Sequence, residues 1–329
     1  MRALRLTDKD TGPTIVEIPK PSFDATHAVI RLSASALNRR DVWIKRGQYP
    51  GIRYPITLGS DGCGTVEATS AQNVHWVGRR VVLYPGFNWG PNPRVQSDAY
   101  RILGLPDDGT FADYIRMPID SLFAAPQHLN DQEAAALPLA GLTAWRAVKT
   151  KGCIQHGMKV LITGIGGGVA QMAALFSFHH GARITVTSSD SSKLDRATFA
   201  HHGVRYTDEN WWRQLQGVEP GGYDVIIDSA GGSGFGHLVR LLAPGGRLVF
   251  FGGTQGKWPE ILPQHLFYKQ VEILATTMGS PDEFNDMIQY VGEHTLHPPV
   301  AQCFPLADGA AAFDYLEGGQ QYGKVVLTH

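Results

Sequence analysis

The first 120 residues alternate short apolar runs with polar and turn-forming residues. This is the pattern of half-buried β-strands, because successive side chains of a strand point to opposite faces. The runs are rich in β-branched and aromatic residues, and Gly, Pro and Asn separate them. They are VEIPKP, AVIRLSASAL, GTVEAT, RRVVLYP and FADYIRMP. This part of the chain is therefore predicted to be β-rich.

The pattern changes near Asp131, where NDQEAAALPLAGLTAWRAVKTKG is rich in Ala and Leu at helical spacing. Asn130 or Asp131 can cap the N-terminus of this predicted helix. From Lys159 onwards, predicted strands and helices alternate: KVLITG, QMAALFSFHHGA, RITVTSS, SKLDRATFAHHG, YDVIIDSAG and GRLVFFGGT. Such alternation predicts a parallel sheet. The final segment, GKVVLTH, is predicted to be a strand that returns to the first domain.

A glycine-rich turn follows the first strand of this alternating region and opens its helix. The predicted cofactor contacts there are Gly164, Gly166, Gly167, Gly168 and Val169. In a dinucleotide-binding turn, glycines let backbone N–H groups approach the pyrophosphate, and a small residue, here Ala170, lets the helix pack on the sheet. The helix N-terminus adds about half a positive charge. The context favours nucleotide binding over a glycine-rich turn without a ligand.

The end of the second strand indicates which nicotinamide cofactor is bound. An NAD enzyme usually places Asp or Glu there to bind the ribose hydroxyls, whereas this chain has Ser188. Ser188, Ser189 and the downstream Lys193 offer donors and charge for a 2′-phosphate, which predicts NADPH. Asp190 could still reach a ribose, and a solvated serine-rich turn is the alternative interpretation.

Composition and charge limit the possible partners. A chain of 329 residues suggests two domains, and its net charge of -1 attracts neither nucleic acid nor an anionic membrane. No apolar stretch reaches the roughly 20 residues that span a bilayer, and the N-terminus lacks a signal-peptide core. Three distant cysteines (Cys63, Cys153 and Cys303) argue against a disulfide framework. We therefore expect a cytoplasmic protein that acts on a small molecule.

A series of landmarks resembles the medium-chain dehydrogenase/reductase superfamily along nearly the whole chain. They are GSDGCGTVEA, VGRRVV, GTFADYIRMP, AAALPLAGLTAWRAV, VLITGIGGGVAQMAA, LLAPGGRLVFFGG and YGKVVL. Within the superfamily the chain is similar to the zinc-free quinone oxidoreductase branch and to zinc-type alcohol dehydrogenase-like proteins that lack the metal. The resemblance implies an α/β fold: a Rossmann doubly wound parallel sheet at 123–261, and a β-rich GroES-like catalytic domain at 1–122 that 262–329 completes. The site is expected in the cleft between these domains.

The expected absence of zinc follows from two motifs of the family. In the zinc enzymes a Cys opens a Cys-x-Ser/Thr-Asp motif, and a His follows Gly in a Gly-His-Glu motif. Here Asn38 stands at the cysteine, Ser60 at the histidine and Arg40 at the hydroxyl that starts the proton relay. The loop before GTFADY contains none of the four cysteines that bind the family's structural zinc. Neutral amide and hydroxyl groups are poor zinc ligands, so no metal is expected.

The resemblance also implies residues for the active site. Asn38, Trp43 and Tyr49 match residues that line the active-site mouth, where Asn38 can donate a hydrogen bond to the substrate oxygen. Packing is the alternative role for the two aromatic residues. Asp41 and Asp61 are interpreted as partners of nearby arginines rather than as acids.

Further cofactor contacts are expected outside the glycine turn. They are Thr143 near the nicotinamide, Tyr206 near the adenosine phosphate, and Gly252 and Gly253 at the end of a buried strand. The predicted reaction is hydride transfer from NADPH to a quinone or an α,β-unsaturated carbonyl compound. An enoyl-thioester reductase and a non-catalytic NADPH-binding module are the alternatives. A homodimer is expected, because GRLVFFGG resembles the edge strand through which relatives pair their sheets.

Overall fold

Two units make up the computed structural model, which describes residues 1–329. Unit 1 contains Met1–Leu142 and Gly279–His329, and unit 2 contains Thr143–Met278. Both boundaries lie later in the chain than the predicted ones, which were after residues 122 and 261. Tertiary contacts explain the difference, because the first helix after residue 122 packs on strands of unit 1 and the last strand before residue 278 joins the sheet of unit 2.

Eighteen strands form the sheets of the two units. They are β1 (Arg2–Leu6), β2 (Thr14–Glu17), β3 (His27–Ala36), β4 (Ile56–Thr57), β5 (Asp61–Ala68), β6 (Arg80–Leu83), β7 (Gly86–Phe87), β8 (Arg101–Ile102), β9 (Tyr114–Pro118), β10 (Leu122–Ala124), β11 (Lys159–Ile162), β12 (Arg183–Ser188), β13 (His202–Arg205), β14 (Tyr223–Asp228), β15 (Leu242–Phe250), β16 (Glu272–Ala275), β17 (Val300–Pro305) and β18 (Lys324–Thr328).

Ten α-helices connect or flank these strands. They are α1 (Arg39–Lys45), α2 (Asp131–Ala136), α3 (Pro138–Trp145), α4 (Gly168–His179), α5 (Ser191–Arg196), α6 (Trp211–Val218), α7 (Phe235–Leu241), α8 (Gln264–Phe267), α9 (Pro281–Glu293) and α10 (Gly309–Glu317). None of them combines the length and the hydropathy that a bilayer-spanning helix requires.

The main sheet of unit 1 has the order β10-β6-β5-β3-β18-β17, and β9 also pairs with β3. All pairs are antiparallel except β17 with β18. The C-terminal strand β18 returns to β3, where Val326 pairs with Ala36, as the sequence predicts. A buried cluster that includes Phe111, Phe313 and Leu327 fills the interior beside this sheet. Unit 1 is thus the β-rich GroES-like domain that the resemblance implies.

The sheet of unit 2 is parallel throughout, in the order β13-β12-β11-β14-β15-β16. Its central strands are buried on both faces, with Val160, Ile184 and Ile226 fully buried. Helices connect successive strands, so the carboxyl ends of all strands meet at one edge. This confirms the predicted Rossmann fold.

Local signals predict the start of α2 correctly but not the end of α5. Asn130 caps α2, and its side chain accepts a hydrogen bond from the Glu133 N–H at 2.8 Å. The segment SKLDRATFAHHG was predicted as one helix, yet α5 ends at Arg196 and β13 starts at His202. The parallel pairing of β13 with β12, with Val204 opposite Thr187, accounts for the difference. His202 therefore begins a strand.

The position of GRLVFFGG in the sheet also differs from the prediction. Most of this segment forms β15, which lies between β14 and β16 and is therefore an inner strand. The prediction that it forms the edge is wrong, because β16 adds to the sheet with Glu272 pairing to Arg247. The strand at this edge is β16.

Candidate functional site

The glycine turn of unit 2 leaves a helix N-terminus open for an anion. Gly164 has a φ of +66°, a left-handed conformation that glycine adopts without strain. The Gly167 N–H donates to the Gly164 carbonyl at 3.0 Å, and α4 then begins at Gly168 without a side-chain cap. Ala170 is buried, so the small residue lets α4 pack on the sheet. The turn brings Gly164, Gly166, Gly167, Gly168 and Val169 together, and its uncapped N–H groups fit a pyrophosphate.

Buried polar groups fix the neighbouring carboxyl ends of the strands. Thr163 donates through Oγ1 to Asp228 at 2.6 Å, and the Gly231 N–H donates to the same carboxylate at 2.8 Å. Burial raises the pKa of Asp228. A side chain at Gly252 would lie 2.6 Å from the Ser229 carbonyl oxygen, so this close approach requires glycine. Asp228 was not among the predicted site residues, although an acidic residue that ends an apolar strand is a visible signal in the sequence.

The predicted cofactor residues at the end of β12 lie side by side. Ser188 is buried and accepts through Oγ a hydrogen bond from the Asp190 N–H at 3.1 Å. The Tyr206 N–H donates to the Ser188 carbonyl at 2.9 Å, which places Tyr206 beside this turn. Asp190 caps α5 by accepting from the Ser192 N–H at 2.8 Å, and hydrogen bonds from the Ser192 side chain and from this N–H lower the pKa of Asp190. Its carboxylate is therefore already engaged within the protein.

The other predicted cofactor residues of unit 2 differ in their exposure to solvent. Ser189 is exposed, Lys193 is half-buried on α5, and Gly253 is exposed with open space around it. Thr143 is buried at the end of α3, and its hydroxyl lies 3.8 Å from the Met278 sulfur. The turn, its uncapped helix and the hydroxyl groups after β12 fit a dinucleotide.

In unit 1, Asn38 belongs to a buried polar cluster. Lys324 donates through Nζ to Asn38 Oδ1 at 2.6 Å and to Asp61 Oδ2 at 2.8 Å. Asn38 donates through Nδ2 to the same Asp61 oxygen at 2.9 Å. The Leu139 N–H donates to the other Asp61 oxygen at 2.7 Å. The predicted arginine partner of Asp61 is therefore wrong, because the cation is Lys324, which no local signal revealed.

These contacts fix the orientation of the Asn38 amide. Its oxygen faces an ammonium group, so its nitrogen faces the carboxylate. Nδ2 carries two hydrogens, and the protein uses one of them. Asn38 is 7% exposed, so the second N–H lies in a nearly dry environment. A hydrogen bond from this group would be stronger than one formed in water.

Asp41 is a second buried carboxyl group beside this cluster. It is fully buried, and it accepts the Asn38 backbone N–H at 2.7 Å through Oδ2. Its other oxygen has no partner. Burial raises the pKa of Asp41 to about 6, against the opposing effect of the Arg40 charge. The Asp41 carboxyl group thus loses its proton at a higher pH than an ordinary aspartate does.

Trp43 lies in α1, and Tyr49 lies after the C-terminal end of this helix. Both side chains are half-buried. The Arg46 guanidinium lies 5.6 Å from the centre of the Trp43 ring, and the Arg40 guanidinium lies 5.2 Å from that of Tyr49. Tyr49 also packs against the apolar cluster that contains Phe111. Both aromatic residues therefore contribute to packing, and both face cations.

Family models match both parts of the chain. The alcohol dehydrogenase GroES-like domain matches residues 24–127, and the zinc-binding dehydrogenase model matches residues 199–327. A zinc-type alcohol dehydrogenase-like protein of Leptosphaeria maculans is 34% identical over 94% of this chain and 92% of its own length. The chain belongs to the medium-chain dehydrogenase/reductase superfamily. It is therefore an oxidoreductase by class.

Solved and curated members of this superfamily cover the whole chain. The crystal structure of an NAD-dependent alcohol dehydrogenase matches it with a TM-score of 0.91 at 32% identity, over 100% of both chains. A quinone oxidoreductase of Mus musculus is 25% identical over 99% of this chain and 97% of its own length. An acryloyl-coenzyme A reductase of Sulfurisphaera tokodaii is 24% identical over 99% of both chains.

This member of the superfamily does not fit the catalytic zinc that one family description names. The residues at two ligand positions are already bound by cations: Lys324 at Asn38 Oδ1, and Arg40 Nη1 at Ser60 Oγ, 2.8 Å away. These positive charges would repel a metal ion, and amide and hydroxyl groups offset little of that repulsion. Nowhere in residues 1–329 do three or more His, Cys, Asp or Glu side chains form a group that could hold a metal.

The raised pKa of Asp41 predicts a pH dependence of stability. Between about pH 4 and about pH 6 the folded chain keeps a proton that the unfolded chain has lost, so this group makes folding less favourable as the pH rises. Asp41→Asn removes the titration. We compare the free energies of unfolding of the wild type and of Asp41→Asn. As the pH rises from about 4 to about 6, the wild type should lose up to about 3 kcal/mol relative to the variant.

Urea denaturation of both proteins at several pH values measures this difference. Asp10→Asn provides a control, because it also replaces a carboxyl group by an amide but at an exposed position. Parallel profiles for the wild type and Asp41→Asn would contradict the expected effect of burial.

Proposed function

We propose that this protein reduces quinones or α,β-unsaturated carbonyl compounds with NADPH and without zinc. The observation that carries the proposal is the replacement of metal ligands by hydrogen-bond donors and cations around Asn38, Arg40 and Ser60. Such groups stabilise a developing negative charge on oxygen. Activated acceptors need less stabilisation than the alkoxide of a simple alcohol. The mouse quinone oxidoreductase supports this substrate class.

In this proposal, Asn38 donates its second Nδ2–H to the acceptor oxygen. Lys324 and Asp61 hold the amide in the required orientation, so the donor needs no reorganisation during the reaction. The Tyr49 hydroxyl is proposed as a second donor or positioning group, and Trp43 as an apolar wall. Bound NADPH supplies the hydride. The final proton comes from solvent, because the buried carboxyl groups of Asp41 and Asp61 are 0% exposed.

The preference for NADPH over NADH is proposed from the turn after β12. Asp190, the acidic residue nearest the ribose position, uses its carboxylate to cap α5. Ser188 and Ser189 are proposed to provide hydroxyl groups and Lys193 a positive charge to the 2′-phosphate, with Tyr206 beside Ser188. Thr143, Gly252 and Gly253 are proposed as further contacts of the cofactor.

An enoyl-thioester reductase is the second candidate, and the similarity to an acryloyl-coenzyme A reductase favours it. It uses the same hydride transfer to a carbon conjugated with a carbonyl group. A panel of quinones, enones and enoyl thioesters separates the two candidates by relative kcat/KM. Tight NADPH binding without turnover of any acceptor would instead indicate a binding module.

The first activity prediction concerns Asn38→Ala. Removing one preorganised donor costs up to about 100- to 1,000-fold in rate in other enzymes, but an enone oxygen needs less stabilisation. We expect kcat for an enone to fall by about tenfold or more, with little change in NADPH affinity. Stopped-flow NADPH oxidation at saturating cofactor measures both. Simple alcohols with NADP should give negligible turnover of the wild type.

Two outcomes would overturn this assignment. Unchanged enone turnover in Asn38→Ala would remove Asn38 from the mechanism. Brisk oxidation of ethanol or benzyl alcohol by the wild type would refute the proposed reductase, because it requires a means of stabilising an alkoxide. Circular dichroism melting controls for a loss of folding.

The second activity prediction concerns Lys193→Ala. Loss of one charge-assisted contact with the 2′-phosphate should weaken NADPH binding by roughly 1.5–3 kcal/mol and leave NADH binding unchanged. Fluorescence titration with both cofactors measures the difference. Equal losses for both, or a wild-type preference for NADH, would contradict the proposal.

We also propose a homodimer that forms through the β16 edge. The outer side of β16 has no paired strand, and the segment before it exposes Phe267, at the end of α8, and Tyr268, which follows it. Light scattering should give twice 35.9 kDa for the wild type and a lower mass for Tyr268→Glu. Phe178→Glu, at another exposed aromatic residue of unit 2, should remain dimeric. A monomeric wild type at micromolar concentration would refute the proposal.

The three free cysteines support the further proposal of a cytoplasmic location.

A further inference from the structure

Arg40 is held rigidly by its own unit. Its Nη1 donates to Ser60 Oγ at 2.8 Å and to the Leu103 carbonyl at 2.8 Å. Ser60 in turn donates to the same carbonyl at 2.7 Å, which closes a triangle of hydrogen bonds. The Tyr49 ring, 5.2 Å from the guanidinium carbon, adds a cation–π contact. Together these contacts restrict the plane of the guanidinium group.

The rest of the Arg40 guanidinium has no partner in the protein. Nε is buried and makes no hydrogen bond, although burial of a polar atom without a partner is costly. Nη2 donates to no protein group, and no carboxylate lies within ion-pair distance of Arg40. Because Nε is buried, Nη2 is the guanidinium nitrogen that remains for an anionic oxygen. Arg40 is therefore a half-buried cation without an ion-pair partner, and the nearby Asp41 carboxyl group makes no hydrogen bond to it.

Arg40 lies close to the two residues that occupy the expected zinc-ligand positions. Arg40 follows Asn38 by two residues at the start of α1, and its Nη1 is bound to Ser60. Asn38 and Ser60 are the residues that stand where zinc ligands stand in metal-dependent relatives. A fixed positive charge therefore occupies the region from which a metal would act on the substrate oxygen.

We infer that Arg40 is a catalytic residue whose guanidinium group replaces the metal by binding the carbonyl oxygen of the acceptor. This inference rests on the proposed reductase function and specifies its electrophile. Arg40 supplies the positive charge, and the Asn38 amide adds one neutral donor. The substrate class is then an acceptor with a carbonyl oxygen conjugated to the carbon that receives hydride.

The charge balance of the step explains why a permanent cation is useful. A hydride, with its electron pair, adds to the β-carbon of the enone, and NADPH is oxidised to NADP. The carbon–carbon π pair moves towards the carbonyl carbon, and the carbonyl π pair moves onto oxygen, which becomes an enolate oxygen. Arg40 stabilises that negative charge without giving up a proton, since guanidinium groups remain protonated in proteins. A solvent proton then adds to the α-carbon and gives the saturated ketone.

Substitution of Arg40 should affect acceptors unequally. For Arg40→Met we expect kcat/KM for cyclohexenone to fall by about 100-fold or more, as when a preorganised electrostatic group is lost. For a strongly electron-poor benzoquinone the loss should stay below about tenfold, because less charge must be stabilised at each oxygen. Arg40→Lys should retain part of the cyclohexenone rate. Added guanidinium ion at low, non-denaturing concentration should partly rescue Arg40→Ala.

A binding experiment tests the same group without turnover. Para-nitrophenolate carries an anionic oxygen like that of the enolate, and its absorbance reports its charge. In the presence of NADP it should bind the wild type at least about tenfold more tightly than Arg40→Met, the effect of one charge-assisted contact. Ser60→Ala, which removes an anchor of Nη1 but keeps the cation, should lie between the two.

The outcomes separate this inference from the proposed function. Equal losses for cyclohexenone and benzoquinone without rescue, or an Arg40→Met enzyme as active as the wild type, would overturn the role of Arg40. If Arg40→Met fails to fold, Arg40→Lys and the rescue of Arg40→Ala carry the test. A wild type inactive with every acceptor would refute the proposed function, while para-nitrophenolate binding would still decide whether Arg40 forms an oxyanion site.

Discussion

The buried ion pair between Asp61 and Lys324 is the interaction on which the proposed active site depends. Both side chains are at most 4% exposed, and Asp61 uses both oxygens in hydrogen bonds. Desolvation of such charges is costly, and loss of one partner in similar pairs costs about 3–5 kcal/mol. The pair joins strand β18 near the C-terminus to strand β5 near the start of the chain. The Asn38 amide forms hydrogen bonds with both residues of this pair, and these bonds fix its orientation.

In the proposed mechanism, the side chains around Asn38 take over the tasks of a metal. A metal would provide a charge, a fixed position and an open coordination site. Here Lys324 balances Asp61, so its charge is largely used within the protein. Arg40 differs, because hydrogen bonds fix its position and no carboxylate forms an ion pair with it, although the charge of the nearby Asp41 acts on it. The two cations therefore have separate roles, one structural and one available to a ligand.

Local sequence determined much of the fold and of the cofactor turn. The apolar alternation of the first 120 residues, the cap at Asn130 and the glycine turn before α4 are short-range features, set by backbone geometry and nearby hydrogen bonds. They predicted the β-rich unit, the parallel sheet and the helix N-terminus that fits a pyrophosphate. The residues Asn38, Arg40 and Ser60 also stood out from the sequence, because their chemistry is wrong for zinc.

Tertiary structure alone decided the partners of these residues and the edges of the sheet. Lys324 lies more than 260 residues from Asp61 along the chain, and no periodicity connects them. The end of α5 and the position of β15 depend on which strand pairs next, which is a long-range competition for backbone hydrogen bonds. The unpaired Nη2 of Arg40 is visible only where Ser60 and Leu103 both accept hydrogen bonds from Nη1. Sequence identifies residue types suited to a chemistry, whereas folding determines which of their hydrogen-bonding groups remain free.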